Sequence, residues 1–120
     1  MTLTLGILRG VLDFYKQGPH TWTQGVWARD ANGNPVRSLQ EAAVCHCLFS
    51  AVIRETNRHL GTHYVTASVR RALREQLERD GEIVTNITLW NDDKDRWHGD
   101  VLSLLARTIR WEEAHTPWTR

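Results

Sequence analysis

The stretch AAVCHCLFSAVI, residues 42–53, contains twelve residues with no formally charged side chain unless His46 is protonated. An apolar run of this kind is typical of a helix buried in the core of a small domain. Just before it, the sequence SLQE has the pattern of a capping box. In that motif the Ser38 and Glu41 side chains each accept from the other residue's backbone amide. The sequence therefore predicts a buried central helix over about residues 38–60.

Further helices are predicted on both sides of this run, because apolar residues recur there at three-to-four spacing. Residues with capping side chains precede these patterns, and Gly or Pro follows them. The expected positions are a first helix from Thr2 or Thr4 to before Gly18, a third over 67–80 between Thr66 or Ser68 and Gly81, and a last over 97–114 before Pro117.

Two segments between these helices have no clear helical period. Residues 20–37 contain two tryptophans, Trp22 and Trp27, and the Asn32-Gly33 pair, a strong tight-turn signal, so we predict a long Trp-containing loop or a short hairpin. Residues 82–90, EIVTNITLW, suit either a short strand or a helical turn, and we predict the helical turn. The fold class that follows is mainly α, a single-domain bundle of four to five helices around the central helix.

Composition supports one soluble domain over residues 1–120, with a flexible tail at 115–120. The chain is 41% hydrophobic and 24% charged, with a net charge of +1, so any attraction to nucleic acid or membrane must come from a local patch. We expect no signal peptide and no membrane span. The two cysteines, Cys45 and Cys47, give no disulfide framework and fit a reducing cytoplasm.

A thiol-dependent enzyme is one candidate function. Cys47 as nucleophile, His98 as base and Asn91 or Asp92 as the orienting group have the required composition. The chemistry needs a thiolate, however, and a cysteine about two turns into an apolar helix has a raised thiol pKa. We therefore expect a structural Cys47 and a protein that is not an enzyme, while a small-ligand pocket around these four residues stays as an alternative.

Metal binding is not predicted, and neither is any cofactor. A structural zinc site needs paired ligands, and only His59 and His63 have a suitable spacing, with Gly61 between them. The acidic segment NDDKDRWHGD resembles a calcium loop but has Arg96 where the sharp turn needs Gly and Leu102 where a bidentate Glu belongs.

Two sets of residues suggest binding to a macromolecule. Arg70, Arg71 and Arg74 can form a basic helix face that neutralises phosphates, although interleaved glutamates also allow a salt-bridged surface. The chain also has six tryptophans, a residue that is enriched at binding hot spots. The candidates for exposed aromatic anchors are Trp27, Trp97 and Trp118.

Three segments together resemble a family of short bacterial and bacteriophage proteins known as a domain of unknown function. They carry the family's motifs in order over about residues 5–110. The motifs are WTQGVWARD from Trp22, with Gly25; Cys47 followed by Leu48 and Ser50-Ala51; and Trp90-Asn91-Asp92, with Arg96 and Asp100-Val101-Leu102 after it.

The chain departs from the family pattern at three positions. His46 stands where the family usually has Trp, Ser50 where it has Gly, and Trp97 where it has a Thr that would cap the last helix. Asp95 is then the expected cap. The resemblance implies a mostly helical domain and no established activity, and it carries over Trp22, Gly25, Cys47, Trp90, Asn91 and Asp92 as motif residues.

The function that we predict is a small accessory protein, of phage or mobile-element origin, that binds a host protein through exposed aromatic residues. The competing hypotheses are the enzyme or small-ligand site around Cys47 and nucleic-acid binding through the arginine face.

Overall fold

Five α-helices and a small sheet make up the described part of this computed structural model, which covers residues 3–59 and 63–115. The helices are α1 (Leu3–Tyr15), α2 (Leu48–Arg58), α3 (His63–Arg79), α4 (Ile87–Asp92) and α5 (His98–His115). The strands are β1 (Ala28–Arg29), β2 (Pro35–Val36) and β3 (Cys45–His46). The predicted mainly α class is confirmed. Of the predicted flexible tail at 115–120, His115 is instead the last residue of α5, and residues 116–120, with Pro117, lie outside the described part.

The core is built around α1, which packs against α2, α3 and α5. Its residues Ile7, Leu8, Val11 and Tyr15 are fully buried, as the three-to-four spacing requires of a helix with neighbours on several sides. Gly10 faces α2, where the Cδ atom of the buried Glu55 lies 2.7 Å from the position that a β-carbon would occupy. The missing side chain at Gly10 therefore allows α1 and α2 to approach closely.

The predicted start of the central helix at Ser38 is wrong, because α2 begins ten residues later at Leu48. The residues before it run through turns and then into β3. Strand β3 pairs with β1, and the Cys47 amide donates to the Trp27 carbonyl oxygen at 2.8 Å. These long-range backbone bonds replace the helical ones. The capping box is therefore not formed: the Ser38 hydroxyl accepts from Ser50, and Glu41 is exposed in a turn.

The segment 20–37 contains a hairpin, the second of its two predicted forms. Strands β1 and β2 are antiparallel, and β1 lies in the middle of the sheet. The Asp30 carboxylate closes the turn by accepting from the Asn32 and Asn34 amides, each at 2.9 Å. Gly33 has a φ of 85°, a conformation that glycine adopts without strain. The Asn32-Gly33 turn is confirmed.

Helix α3 ends as predicted but starts earlier. Gly81, with a φ of 89°, donates to the Glu78 carbonyl, and the next amide, Glu82, reaches Leu77, which together form a Schellman motif. The predicted caps Thr66 and Ser68 are wrong, since both lie inside a helix that begins at His63.

The two C-terminal helices follow the sequence with one correction. The segment near residue 87 is helical, and the Asn86 side chain caps α4 by accepting from the Leu89 amide at 2.8 Å. The predicted cap of the last helix, Asp95, is wrong. Asp100 in the first turn of α5 accepts from the Trp97 amide at 3.0 Å instead. In the described part of the chain no helix is both long and apolar enough to span a membrane.

Candidate functional site

Asn91, at the end of α4, is completely buried and uses both ends of its side chain. Its Oδ1 atom accepts from the Trp22 indole at 2.7 Å and from the Leu48 amide at 3.1 Å. Its Nδ2 atom donates to the Thr23 carbonyl at 3.1 Å and to Asp92 Oδ1 at 3.0 Å. Asn91 therefore fastens the loop before β1 to α4 and gives the first amide of α2 an acceptor.

The neighbours of Asn91 complete this cluster, which we call the clasp: residues 22–25, Leu48 and residues 90–92. Asp92 Oδ1 accepts from the Gly25 amide at 3.0 Å. Gly25 has a φ of 81°, so a residue with a β-carbon would be strained there. The Gln24 side chain donates to the Asn91 and Asp93 carbonyls, both at 2.8 Å. The three motif segments of the sequence thus meet in one hydrogen-bonded unit.

Trp90, which also belongs to the clasp, has a buried side chain that is 4% exposed. The Arg96 guanidinium lies 4.0 Å from the centre of its ring, and Arg96 Nε donates to the Trp90 carbonyl at 2.9 Å. Arg29 donates to Thr23 and to loop carbonyls, and the indole bond goes to Asn91.

Cys47 is the residue just before α2 rather than two turns inside it, which corrects its predicted position. Its side chain is nevertheless 1% exposed. Burial raises the pKa of the Cys47 thiol to about 11, although the backbone amides of Ser50 and Phe49 act in the opposite direction. The thiol is therefore protonated and inaccessible at neutral pH, and it lacks the properties of a nucleophile.

The proposed base His98 is engaged elsewhere. Its Nε2 atom donates to the Tyr15 carbonyl at 2.7 Å, and its ring meets the Tyr15 ring edge-on at 6.3 Å. The Tyr15 hydroxyl donates to the His46 carbonyl at 2.8 Å, and burial raises the pKa of Tyr15 well above its ordinary value. Cys47 and Asn91 are buried and His98 holds α5 to the end of α1, so this group has the geometry of a scaffold.

A buried polar chain that sequence reasoning missed runs from β3 to the turn at Ser38. Ser50 donates to Ser38 at 2.7 Å, so its oxygen is left to accept from His46 Nδ1 at 2.8 Å. Burial, helped by the nearby Arg54, lowers the pKa of His46 to about 4. His46 is therefore neutral at physiological pH. The only sequence signal was the replacement of small or aromatic residues by polar ones at 46 and 50.

Metal ligands do not assemble within residues 3–59 and 63–115, where no three His, Cys, Asp or Glu side chains are grouped to hold an ion. His59 Nε2 instead lies 3.6 Å from Glu55 Oε1. The side chain of His63 lies outside the part of the chain that the structure describes.

The three predicted arginines line one surface cavity, a groove between α3 and α4 with a volume of about 550 Å³. The Arg70 guanidinium lies over the Phe49 ring at 5.2 Å, and Arg74 Nε is 3.9 Å from Glu78 Oε1. Among the described side chains, neither Arg70 nor Arg71 has a carboxylate within 4 Å. The rest of the groove is formed by Ala67, Asn86, Ile87, Thr88 and Leu89.

The two predicted aromatic anchors that the structure describes, Trp27 and Trp97, have different neighbours. Trp27 is 53% exposed and packs edge-on against Phe49, whose ring lines the groove. Trp97 is 66% exposed just before α5 and lies against Gly99 instead. Trp118 is outside the described residues. Phe49 and Leu89 were not singled out from the sequence. Phe49 belongs to the apolar run from which the buried core was predicted.

The fold, the clasp and the groove define the class of protein. It is a small, mainly helical protein in which the loop held by the clasp lies beside a basic, partly apolar groove. A family model described as a family of unknown function (DUF6197) matches residues 7–110, and the chain belongs to that family. The comparisons with curated proteins and with solved structures gave no match.

Proposed function

We propose that this protein works by binding a partner protein, and that the groove between α3 and α4 takes an acidic segment of that partner. The observation that carries the proposal is the convergence of Arg70, Arg71 and Arg74 on one cavity of about 550 Å³. Guanidinium groups recognise carboxylates by paired hydrogen bonds, and Arg is enriched at interface hot spots.

The charge state of the groove supports an anionic ligand. Arg70 and Arg71 are both exposed, and no carboxylate among the described residues neutralises them. The Arg74–Glu78 pair is an exposed i,i+4 contact at 3.9 Å, which contributes little energy and is easily exchanged. The groove therefore offers three guanidiniums to a ligand at a small cost in broken ion pairs.

The apolar part of the groove favours a peptide over a nucleic acid. Leu89 is 59% exposed at its edge, and Ala67 is exposed on α3. The Phe49 ring already has the Arg70 guanidinium over one face and Trp27 packed against it at a steep angle, so it offers less surface on which a base can stack. Aliphatic walls between cations suit a chain that alternates apolar and acidic side chains.

The setting that we propose is the cytoplasm, with a host protein as partner and a bacterial or phage origin. Two free thiols, Cys45 and Cys47, fit a reducing compartment. The motif resemblance supports the origin. The enzyme hypothesis is less well supported, because Cys47 and Asn91 are closed to substrates.

Selection of a random peptide library displayed on phage, with the purified protein as bait, tests the proposal. We expect the selected peptides to be enriched in Asp and Glu, and synthetic copies to bind in titration calorimetry. Arg71→Glu should weaken binding by about tenfold or more, because it replaces an attraction by a repulsion. Arg110→Glu makes the same charge change on an exposed position of α5 and should leave the affinity within about twofold.

Two results would overturn this function. One is a selection with no enrichment of acidic residues, and the other is an equal effect of the two charge reversals. A single-stranded oligothymidylate that binds with a steep dependence on salt, and that acidic peptides do not displace, would instead assign the groove to nucleic acid.

A further inference from the structure

A second cavity adjoins the groove, and we call it the slot. It has a volume of about 360 Å³ and lies between the hairpin and α4. Its walls come from the loop before β1, from β2 and from α4. They are formed by Gly25, Val26, Trp27, Pro35, Val36, Arg37, Thr88 and Asp92.

From this geometry we infer that the slot is the second half of the binding site and takes one apolar side chain, of the size of Leu, from the same acidic segment. This inference rests on the function proposed for the groove. It defines the partner sequence further: an apolar anchor residue a short distance along the chain from the acidic residues.

Continuity of the two cavities is the first argument. Thr88 lines both of them, so one extended segment can occupy the groove and the slot. Trp27, a wall of the slot, packs edge-on at 5.9 Å against Phe49, a wall of the groove. The two aromatic side chains thus form a ridge shared by both halves of the site.

The chemistry of the walls is the second argument. Val26, Trp27, Pro35 and Val36 present apolar surface. The slot's one carboxylate, on Asp92, is already engaged by the Gly25 amide and the Asn91 side chain. Arg37, the other charged residue of the walls, is exposed. An apolar side chain therefore loses water in the slot while the Asp92 carboxylate keeps its partners.

Rigidity is the third argument. The Trp27 carbonyl accepts from the Cys47 amide at 2.8 Å, and Gly25 is held by Asp92, so the backbone beneath the exposed indole is fixed on both sides. A tryptophan on a fixed backbone provides a large contact area with little loss of conformational freedom on binding. The clasp therefore has a use beyond stability, because it sets the position of a slot wall.

Fluorescence anisotropy with labelled synthetic peptides tests the inference. Each peptide holds a short run of aspartates and, at increasing separations from it, either one Leu or one Ser. At one favoured separation the Leu peptide should bind about tenfold more tightly than its Ser partner, as expected for burial of one aliphatic side chain. Trp27→Ala should remove this difference, and Trp97→Ala, at another exposed tryptophan, should keep it.

The outcomes separate the two proposals. If Arg71→Glu weakens both peptides but Leu and Ser bind equally at every separation, the groove is retained and the slot is rejected. An equal effect of Trp27→Ala and Trp97→Ala would also overturn the slot. If no aspartate peptide binds, the groove function fails and the inference fails with it.

Discussion

Replacing Asn91 by Ala should destabilise the protein more than any other single change of a polar side chain to Ala in the clasp. The substitution leaves the buried Leu48 amide without its acceptor, at a cost of about 1–3 kcal/mol. It also removes the bonds to Trp22, Thr23 and Asp92, each worth about 0.5–1.5 kcal/mol. Because bonds to one side chain are not additive, we expect a total loss of about 3–5 kcal/mol. That is a large part of the roughly 5–15 kcal/mol typical of a domain.

Urea unfolding followed by tryptophan fluorescence and by far-ultraviolet circular dichroism measures this loss. Asn57→Ala is the matched control, since Asn57 is exposed on α2, and its free energy of unfolding should stay within about 0.5 kcal/mol of the parent. A loss below about 1 kcal/mol for Asn91→Ala would refute the argument that the clasp holds the loop to the helices.

Three further predictions concern the buried groups. Stability should fall as the pH drops from about 6.5 to about 4, because unfolded His46 binds a proton in that range and the folded state excludes it. The loss approaches about 3 kcal/mol, and a His46→Gln variant that retained the same slope in pH-dependent urea unfolding would contradict this assignment. In a Cys45→Ser variant at neutral pH, Cys47 should react with a thiol reagent about a hundredfold more slowly in the folded protein than in urea, since its pKa is raised by about two units; equal rates would show an open thiol. Gly10→Ala should be less stable than Gly6→Ala by about 1–3 kcal/mol in thermal unfolding, because only the first adds a β-carbon against Glu55; equal melting temperatures would show that Glu55 moves aside freely.

The helices were largely predictable because their signals are local. The apolar spacing of α1 and the glycine that ends α3 act within a few residues. The start of α2 was not predictable in the same way. Ser38 and Glu41 have the composition of a cap, but the intervening chain gains more from pairing with β1, some sixteen residues earlier. The spacing of apolar residues along the sequence does not indicate such a long-range strand pairing.

The site was predictable in part for a similar reason. Arg70, Arg71 and Arg74 share a face because helical spacing places them there, so the basic side of the groove follows from the sequence. The opposite wall of the groove does not follow from the sequence, since it depends on how α4 docks against α3. The clasp lies between these cases: the sequence singled out Asn91 and Asp92, while their partners in residues 22–25 are known only from the fold.

The clasp also has a consequence for how the protein is made. Asn91 follows Leu48 by 43 residues, so at about 5–20 residues per second the ribosome needs about two to nine seconds to deliver it after the start of α2 has been synthesised. During that interval residues 22–25 have no partner in α4, and the Leu48 amide lacks the Asn91 side chain as its acceptor. Completion of the second half of the chain is therefore what locks the first half into place.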